Sequence, residues 1–196
     1  VGKTRAERLS VREIRWSNVG LKSRWNAMGA QLITWWGAMA PHERSRTHGL
    51  VLCIALYIAH YLCFTIAQPF YVEDAGISFA FSRNLVEGEG LVAFAGGERV
   101  EGYSNPLWTF IIAALLAIGI PVWTAAKVLG ALLGAATLPL VWAITRYARQ
   151  KDDRLNLIGP IWLACSTQFV VWNASGLENS LYGFLLALGL YRVIRE

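Results

Sequence analysis

The sequence predicts an all-α integral membrane protein with about four transmembrane helices and juxtamembrane helices on its outer face. Three observations lead there. Hydrophobic residues make up 55% of the 196 positions and charged residues only 16%, where soluble domains average about 45–50% and about 25%. The mean hydropathy is +0.40. The apolar excess gathers in long blocks flanked by basic residues, as in membrane spans with their topology signals. The net charge of +5 comes from those flanks and not from an aromatic-interleaved basic patch, which excludes nucleic acid as a partner. Cys53, Cys63 and Cys165 all lie in apolar blocks without metal-ligand spacing and read as small buried hydrophobes.

Residues 1–48 form a basic cytoplasmic or interfacial segment, with nine Lys/Arg against three Glu. Within it "RWNAMGAQLITWWGAMAPHERSR" is predicted to lie as an amphipathic helix on an anionic membrane surface. "VGKT" at the start lacks the glycine-rich part of a phosphate loop and carries no such meaning. Residues 49–70 make the first span. His60 in its middle is expected to be a hydrogen-bonded packing residue. The run between Pro106 and Pro121 would cover only about 22 Å as a helix, short of a hydrocarbon core of about 30 Å. Residues 122–148 are amply long. Gly130 and Gly134 there have small-xxx-small spacing for close helix packing, and Pro139 is expected to kink the helix. Further spans are predicted at 156–172 and from the "NASGLENS" segment to about residue 192.

Positive-inside counting settles the parity. If 106–120 does not cross, then 1–48, the basic loop 146–154 and the Arg192/Arg195 end share the cytoplasmic side, carrying nine, four and two Lys/Arg. The acidic segment 71–105, with only Arg83 and Arg99 as cations, then faces outward together with "SGLEN". The first outer loop is thus 71–120, and the protein is multi-pass with its N-terminus cytoplasmic.

That outer loop opens "EDAGISFAFSRNLVEGEG". Asp74 is placed at the N-terminus of a helix running to about Val86, where a carboxylate is favoured. Ile77, Phe81 and Leu85 recur on one face, expected to lie on the membrane, with Asp74, Ser78 and Ser82 on another. Glycines then turn the chain. Arg99, Glu101, Tyr103 and Asn105 return it to the bilayer, and Pro106 opens the short second helix. Glu87 and Glu89 read as solvated loop carboxylates. Glu73 and Asp74 stand together where a span meets the surface, and parity puts Glu178 on the same face. Three carboxylates at one depth suit either general-base work or oxygen ligation of a divalent cation.

"EDAGISFAFSRNLVEGEGLVAFAGGERVEGYSNPLW", followed by "SGLENSLYGFLLALGLY", resembles the multi-span GT-C glycosyltransferases. It is most similar to their actinobacterial arabinofuranosyltransferase-like branch. The resemblance covers about residues 50–195 and rests on the acidic pair after span 1, the Gly-Glu-Arg-Val-Glu loop, the Tyr-Ser-Asn-Pro-Leu-Trp return and the Ser-Gly-Leu-Glu motif. It implies that residues 49–196 are the N-terminal part of a GT-C transmembrane module in the plasma (inner) membrane, inactive alone. It further implies transfer of a sugar, arabinofuranose in that branch, from a polyprenyl-phosphate donor to a cell-envelope glycan or lipid acceptor. By this correspondence Glu73, Asp74 and Glu178 are the catalytic candidates. Glu stands at 73 where the family has Asp, which leaves open which of the pair is the base. Arg83, Asn84, Arg99, Glu101, Tyr103, Asn105 and Lys127 are the candidates for substrate binding. For Lys127, snorkelling to the surface is the competing explanation. A non-catalytic envelope-assembly protein or a lipid-carrier flippase subunit could use the same acidic loop for recognition alone.

Overall fold

The computed structural model describes residues 41–68 and 70–196, and before them only Ala27, Ala30, Gln31 and Thr34. Most of the amphipathic segment expected at 24–46 therefore lies outside the described residues. The chain divides between Ser45 and Arg46 into two units, and apart from the opening residues of the first helix everything below concerns the second.

The described residues build helices and no strand: α1 Pro41–Ala67, α2 Glu73–Val86, α3 Pro106–Ala117, α4 Val122–Arg149, a 3-10 turn Arg154–Leu157, α5 Ile158–Cys165, α6 Thr167–Asn173 and α7 Asn179–Arg195. Two stretches are long and apolar enough to cross a membrane, Ser45–Ala67 and Val122–Arg149. Arg154–Cys165 and Thr167–Asn173 make a third only if a pair bent by 60° counts as one span. The continuous span expected over 156–172 is thus broken. Ser166 adopts extended backbone, and its Oγ accepts a hydrogen bond from Phe169 N, so it starts a new helix instead of continuing the old one. α7 has 17 residues, about 26 Å of helix.

α3 is short, as expected, with 12 residues and Pro106 in its first turn. It stops because Gly119 takes φ +89 and Gly119 N and Ile120 N bond back to the Leu116 and Leu115 carbonyls. α4 runs unbroken through Pro139. Its small-residue face is used as the spacing implied. A side chain at Gly134 would overlap the Tyr57 hydroxyl, and one at Gly130 would overlap the Asn173 carbonyl oxygen. At Gly130 the end of α6 reaches the α4 backbone, and at Gly134 the Tyr57 hydroxyl of α1 does. His60 is indeed a packing residue. Its Nδ1 lies 3.1 Å from the Ala164 carbonyl, which requires the proton on that nitrogen.

The lipid-like exterior follows from the same helices. Leu52 and Ile66 on α1 are 69% and 81% exposed, and such apolar faces match hydrocarbon, not water. Of the cysteines only Cys53 is buried. Cys63 and Cys165 are exposed, because the outer surface of an apolar block need not face protein.

Candidate functional site

α2 and α3 form a helical hairpin across the Lys127 end of α4. Its inner surface is polar, contrary to the expected arrangement. Ser78 and Ser82 are buried at 3% and 0% exposure, and Phe81 of the supposed membrane-facing stripe is at 0%. Ile77 stays exposed and Leu85 half-buried. The reason is that α3 covers the serine face. Ser82 Oγ reaches the Ser78 and Thr109 carbonyls at 2.7 and 2.9 Å, while Phe81 packs edge-on to Tyr103 at 4.8 Å between ring centroids. Glu73 is already the first residue of α2, and Val72 is its N-cap, so Asp74 sits inside the first turn and not at the cap. Both carboxylates remain at the favourable end of the helix dipole.

Asn105 is the hub. Its Oδ1 accepts from Ser78 Oγ at 2.9 Å and Thr109 Oγ1 at 3.2 Å, and its Nδ2 donates to Glu178 Oε2 at 2.6 Å. One amide thereby ties α2, α3 and the segment before α7 together. The "SGLEN" segment is fixed independently. Val72 N donates to the Ser175 carbonyl and Trp108 Nε1 to the Gly176 carbonyl, both at 3.0 Å. Gly176 has φ +89, and a Cβ there would press on Tyr71 and Ala75, so only glycine suits the position. Ser175 Oγ accepts from Leu177 N and Asn179 Nδ2. This motif is built to hold Glu178 at one point.

A cleft of about 240 Å³ opens beside this hub, lined by Asp74, Ser78, Tyr103, Asn105, Leu177 and Glu178 among others. Asp74 and Glu178, far apart in sequence, therefore meet in one place. Glu73 does not line it and is exposed. Asp74 has no hydrogen-bond or ion-pair partner among the described residues, whereas Glu178 is clamped by Asn105.

Tyr103 also lines a second, adjacent cleft of about 500 Å³ with Leu85, Gly90, Leu91, Arg99, Val100 and Glu101. Asn84, in contrast, is structural: buried, its Nδ2 donates to the Val92 carbonyl at 2.8 Å and staples the glycine turn. Arg83 is exposed and lines neither cleft.

No family model, curated protein or solved structure matches this chain.

Lys127 departs from both earlier readings. It neither reaches for the surface nor points a free ammonium at the clefts. Its Nζ lies 2.5 Å from the Phe70 and Ala174 carbonyls and 4.0 Å over the Tyr71 ring. It thus satisfies carbonyls left over where α1 has ended and where α6 ends. Phe70 and Ala174 each lie four positions before a cleft carboxylate, Asp74 and Glu178, so Lys127 anchors the backbone that leads into both.

Among the described residues no three His, Cys, Asp or Glu side chains gather in a group that could hold a metal. Glu73 does not line the Asp74–Glu178 cleft, so the cleft gathers two of the three carboxylates expected from the sequence.

Ser78, Ser82, Thr109 and Trp108 were not among the sequence candidates. The Ser78/Ser82 spacing of four, placed with Asp74 on a face apart from the apolar stripe, carried the signal. A pair of hydroxyls one turn apart serves a polar helix contact equally well.

Proposed function

We propose that this chain belongs to a membrane glycosyltransferase of the GT-C kind that uses a polyprenyl-phosphate sugar on the outer face of the plasma membrane. The observation that carries the reading is the meeting of Asp74 and Glu178 in one cleft at the end of an apolar helical bundle. In this reading Asp74 is the general base. It is exposed and unpaired among the described residues, so it can take a proton. The acceptor hydroxyl oxygen attacks the anomeric carbon, the bond from that carbon to the phosphate oxygen breaks, and the hydroxyl proton passes to Asp74. The polyprenyl phosphate leaves with the bonding electrons. Glu178, held by Asn105, orients the acceptor through its second oxygen. Arg99, one tyrosine away in the neighbouring cleft, is the cation placed to stabilise the leaving phosphate. Lys127 is spoken for by two carbonyls and has no such part. No step is routed through a metal ion.

The same reading takes α1, α4, the bent pair α5–α6, and α7 as four spans, with α2 and α3 on the outer surface. It puts Lys151 inside. A membrane-impermeant maleimide should leave a Lys151→Cys variant unlabelled in intact cells, and labelling there would overturn the topology.

The transferase reading is tested by the fate of the donor. The natural-length protein in lipid vesicles should convert a polyprenyl-phosphate sugar and an acceptor glycan into free polyprenyl phosphate and a product heavier by one sugar. A flippase subunit would move the intact donor across the vesicle wall without changing its mass. A recognition protein would only bind it. Either result would refute the transferase reading.

A further inference from the structure

A third pocket lies at the opposite end of α4, between the last turns of α4 and α7. It has a volume of about 540 Å³ and is lined by Trp142, Arg146, Lys151, Asp152, Tyr191 and Arg195 among others. We propose that it binds the phosphate headgroup of an anionic phospholipid in the leaflet opposite the carboxylate clefts.

Position comes first. Lys127 marks the level of the carboxylate clefts, through its bonds to Phe70 and Ala174. From Lys127 to Arg146 an α-helix rises about 28 Å, close to the thickness of a hydrocarbon core. α4 is apolar between them. The pocket therefore sits where the other headgroup layer begins. Tyr147 and Tyr191, with Trp142, are the residue types that occupy that layer.

Charge comes second. Arg146, Lys151 and Arg195 face a single carboxylate, Asp152. That carboxylate is already engaged by Arg46 and, at 3.2 Å, by Arg146. Asp153, next in sequence, is held outside the pocket lining by Arg149 in a two-pronged pair at 2.6 and 2.9 Å. Asp152 is thus neutralised by Arg46 from outside the lining and shared with Arg146, and Asp153 is neutralised by Arg149, so Lys151 and Arg195 remain as an excess of cation in the pocket.

Shape comes third. Arg195 lies over the Tyr191 ring at 5.6 Å and donates to its hydroxyl at 3.4 Å, while Arg146 lies over Trp142 at 5.4 Å. Each guanidinium is thus steadied on an aromatic face, one from α4 and one from α7, with room between for a tetrahedral anion. Gln150, at φ 50, turns the chain sharply after α4, and its Nε2 donates to the Tyr147 carbonyl. That turn brings Lys151 back over the pocket. The site is independent of the glycosyltransferase reading.

The test uses the purified chain in detergent, with bound lipid counted by native mass spectrometry. Phosphatidylglycerol should bind at one site more tightly than phosphatidylcholine, and millimolar inorganic phosphate should not displace it. Arg146→Gln with Arg195→Gln should weaken phosphatidylglycerol binding about thirtyfold. Lys151→Glu, at an exposed position where misfolding is not at issue, should weaken it at least about fivefold. Arg192→Gln removes an exposed cation outside the pocket lining and should change nothing. Equal binding of the two lipids, displacement by free phosphate, unchanged binding in Lys151→Glu, or an equal loss in Arg192→Gln would each overturn the proposal.

Discussion

Replacing Asn105 by alanine separates the two halves of the candidate site. The wild-type amide makes three side-chain hydrogen bonds, to Ser78, Thr109 and Glu178. They are not of equal weight. Ser78 and Thr109 can turn their hydroxyls back onto the carbonyl one turn earlier, which accepts a second bond, as Ser82 and Thr137 do. Most of that loss is recovered. Glu178 has no such recourse, because the 2.6 Å bond from Asn105 Nδ2 is its partner among the described residues and it is half-buried. A hydrogen bond to a charged group contributes about 1.5–3 kcal/mol, and each imperfectly replaced neutral one about 0.5 kcal/mol. The sum is a destabilisation of about 2.5–4 kcal/mol. The assay is reversible unfolding of the purified chain in mixed micelles, followed by helical circular dichroism. Ser104→Ala is the control, since Ser104 is exposed and its change should stay within about 0.5 kcal/mol. An Asn105→Ala chain as stable as Ser104→Ala would refute the idea that this amide clamps Glu178.

Lys127→Met keeps the length of the side chain and removes the ammonium. It should cost about 2–4 kcal/mol in the same assay, because the Phe70 and Ala174 carbonyls lose their donor, and unaltered stability would return Lys127 to the substrate-binding candidates. The Asp153 carboxyl is held below its ordinary value of 3.8, chiefly by the Arg149 hydrogen bonds and further by Arg149 charge and the Leu155 N–H. Its stabilisation of the loop is therefore complete above that ordinary value and is lost as pH falls through the lowered folded value. Thermal midpoints of wild type and Asp153→Asn should differ at neutral pH and converge in strong acid, and a gap that persists there would contradict the pairing.

The extent to which this site was readable in the sequence follows from what kind of interaction each residue makes. Pro106 and the glycines around α2 and α3 act locally, through fixed φ or positive φ, and their boundaries emerged from the sequence to within a few residues. Gly130 and Gly134 were legible too, since small residues four apart mean close approach whichever helix approaches. The direction a face points was not. Ile77, Phe81 and Leu85 form a regular apolar stripe, but Phe81 turns inward because Gly102 and Tyr103 fold back over it, a contact that no periodicity in α2 can announce. The same limit hid the bonds of Asn105 to Ser78 and Glu178, 27 and 73 positions away, and those of Lys127, 47 and 57 positions away. The break at Ser166 was hidden for another reason. Serine is tolerated inside apolar helices, and whether it caps or continues depends on the packing around it.

The account turns on Asp74 as the group that takes the acceptor proton, with Glu73 beside it in sequence but outside the cleft. The most direct measurement is the initial rate of sugar transfer from a polyprenyl-phosphate donor by the natural-length protein and its Asp74→Asn and Glu73→Gln variants, at saturating donor and acceptor. Asp74→Asn preserves shape and removes the base, so its rate should fall roughly 10²–10⁴-fold, while Glu73→Gln should stay near wild type. Near-normal transfer by Asp74→Asn, or an equal collapse in Glu73→Gln, would contradict the assignment.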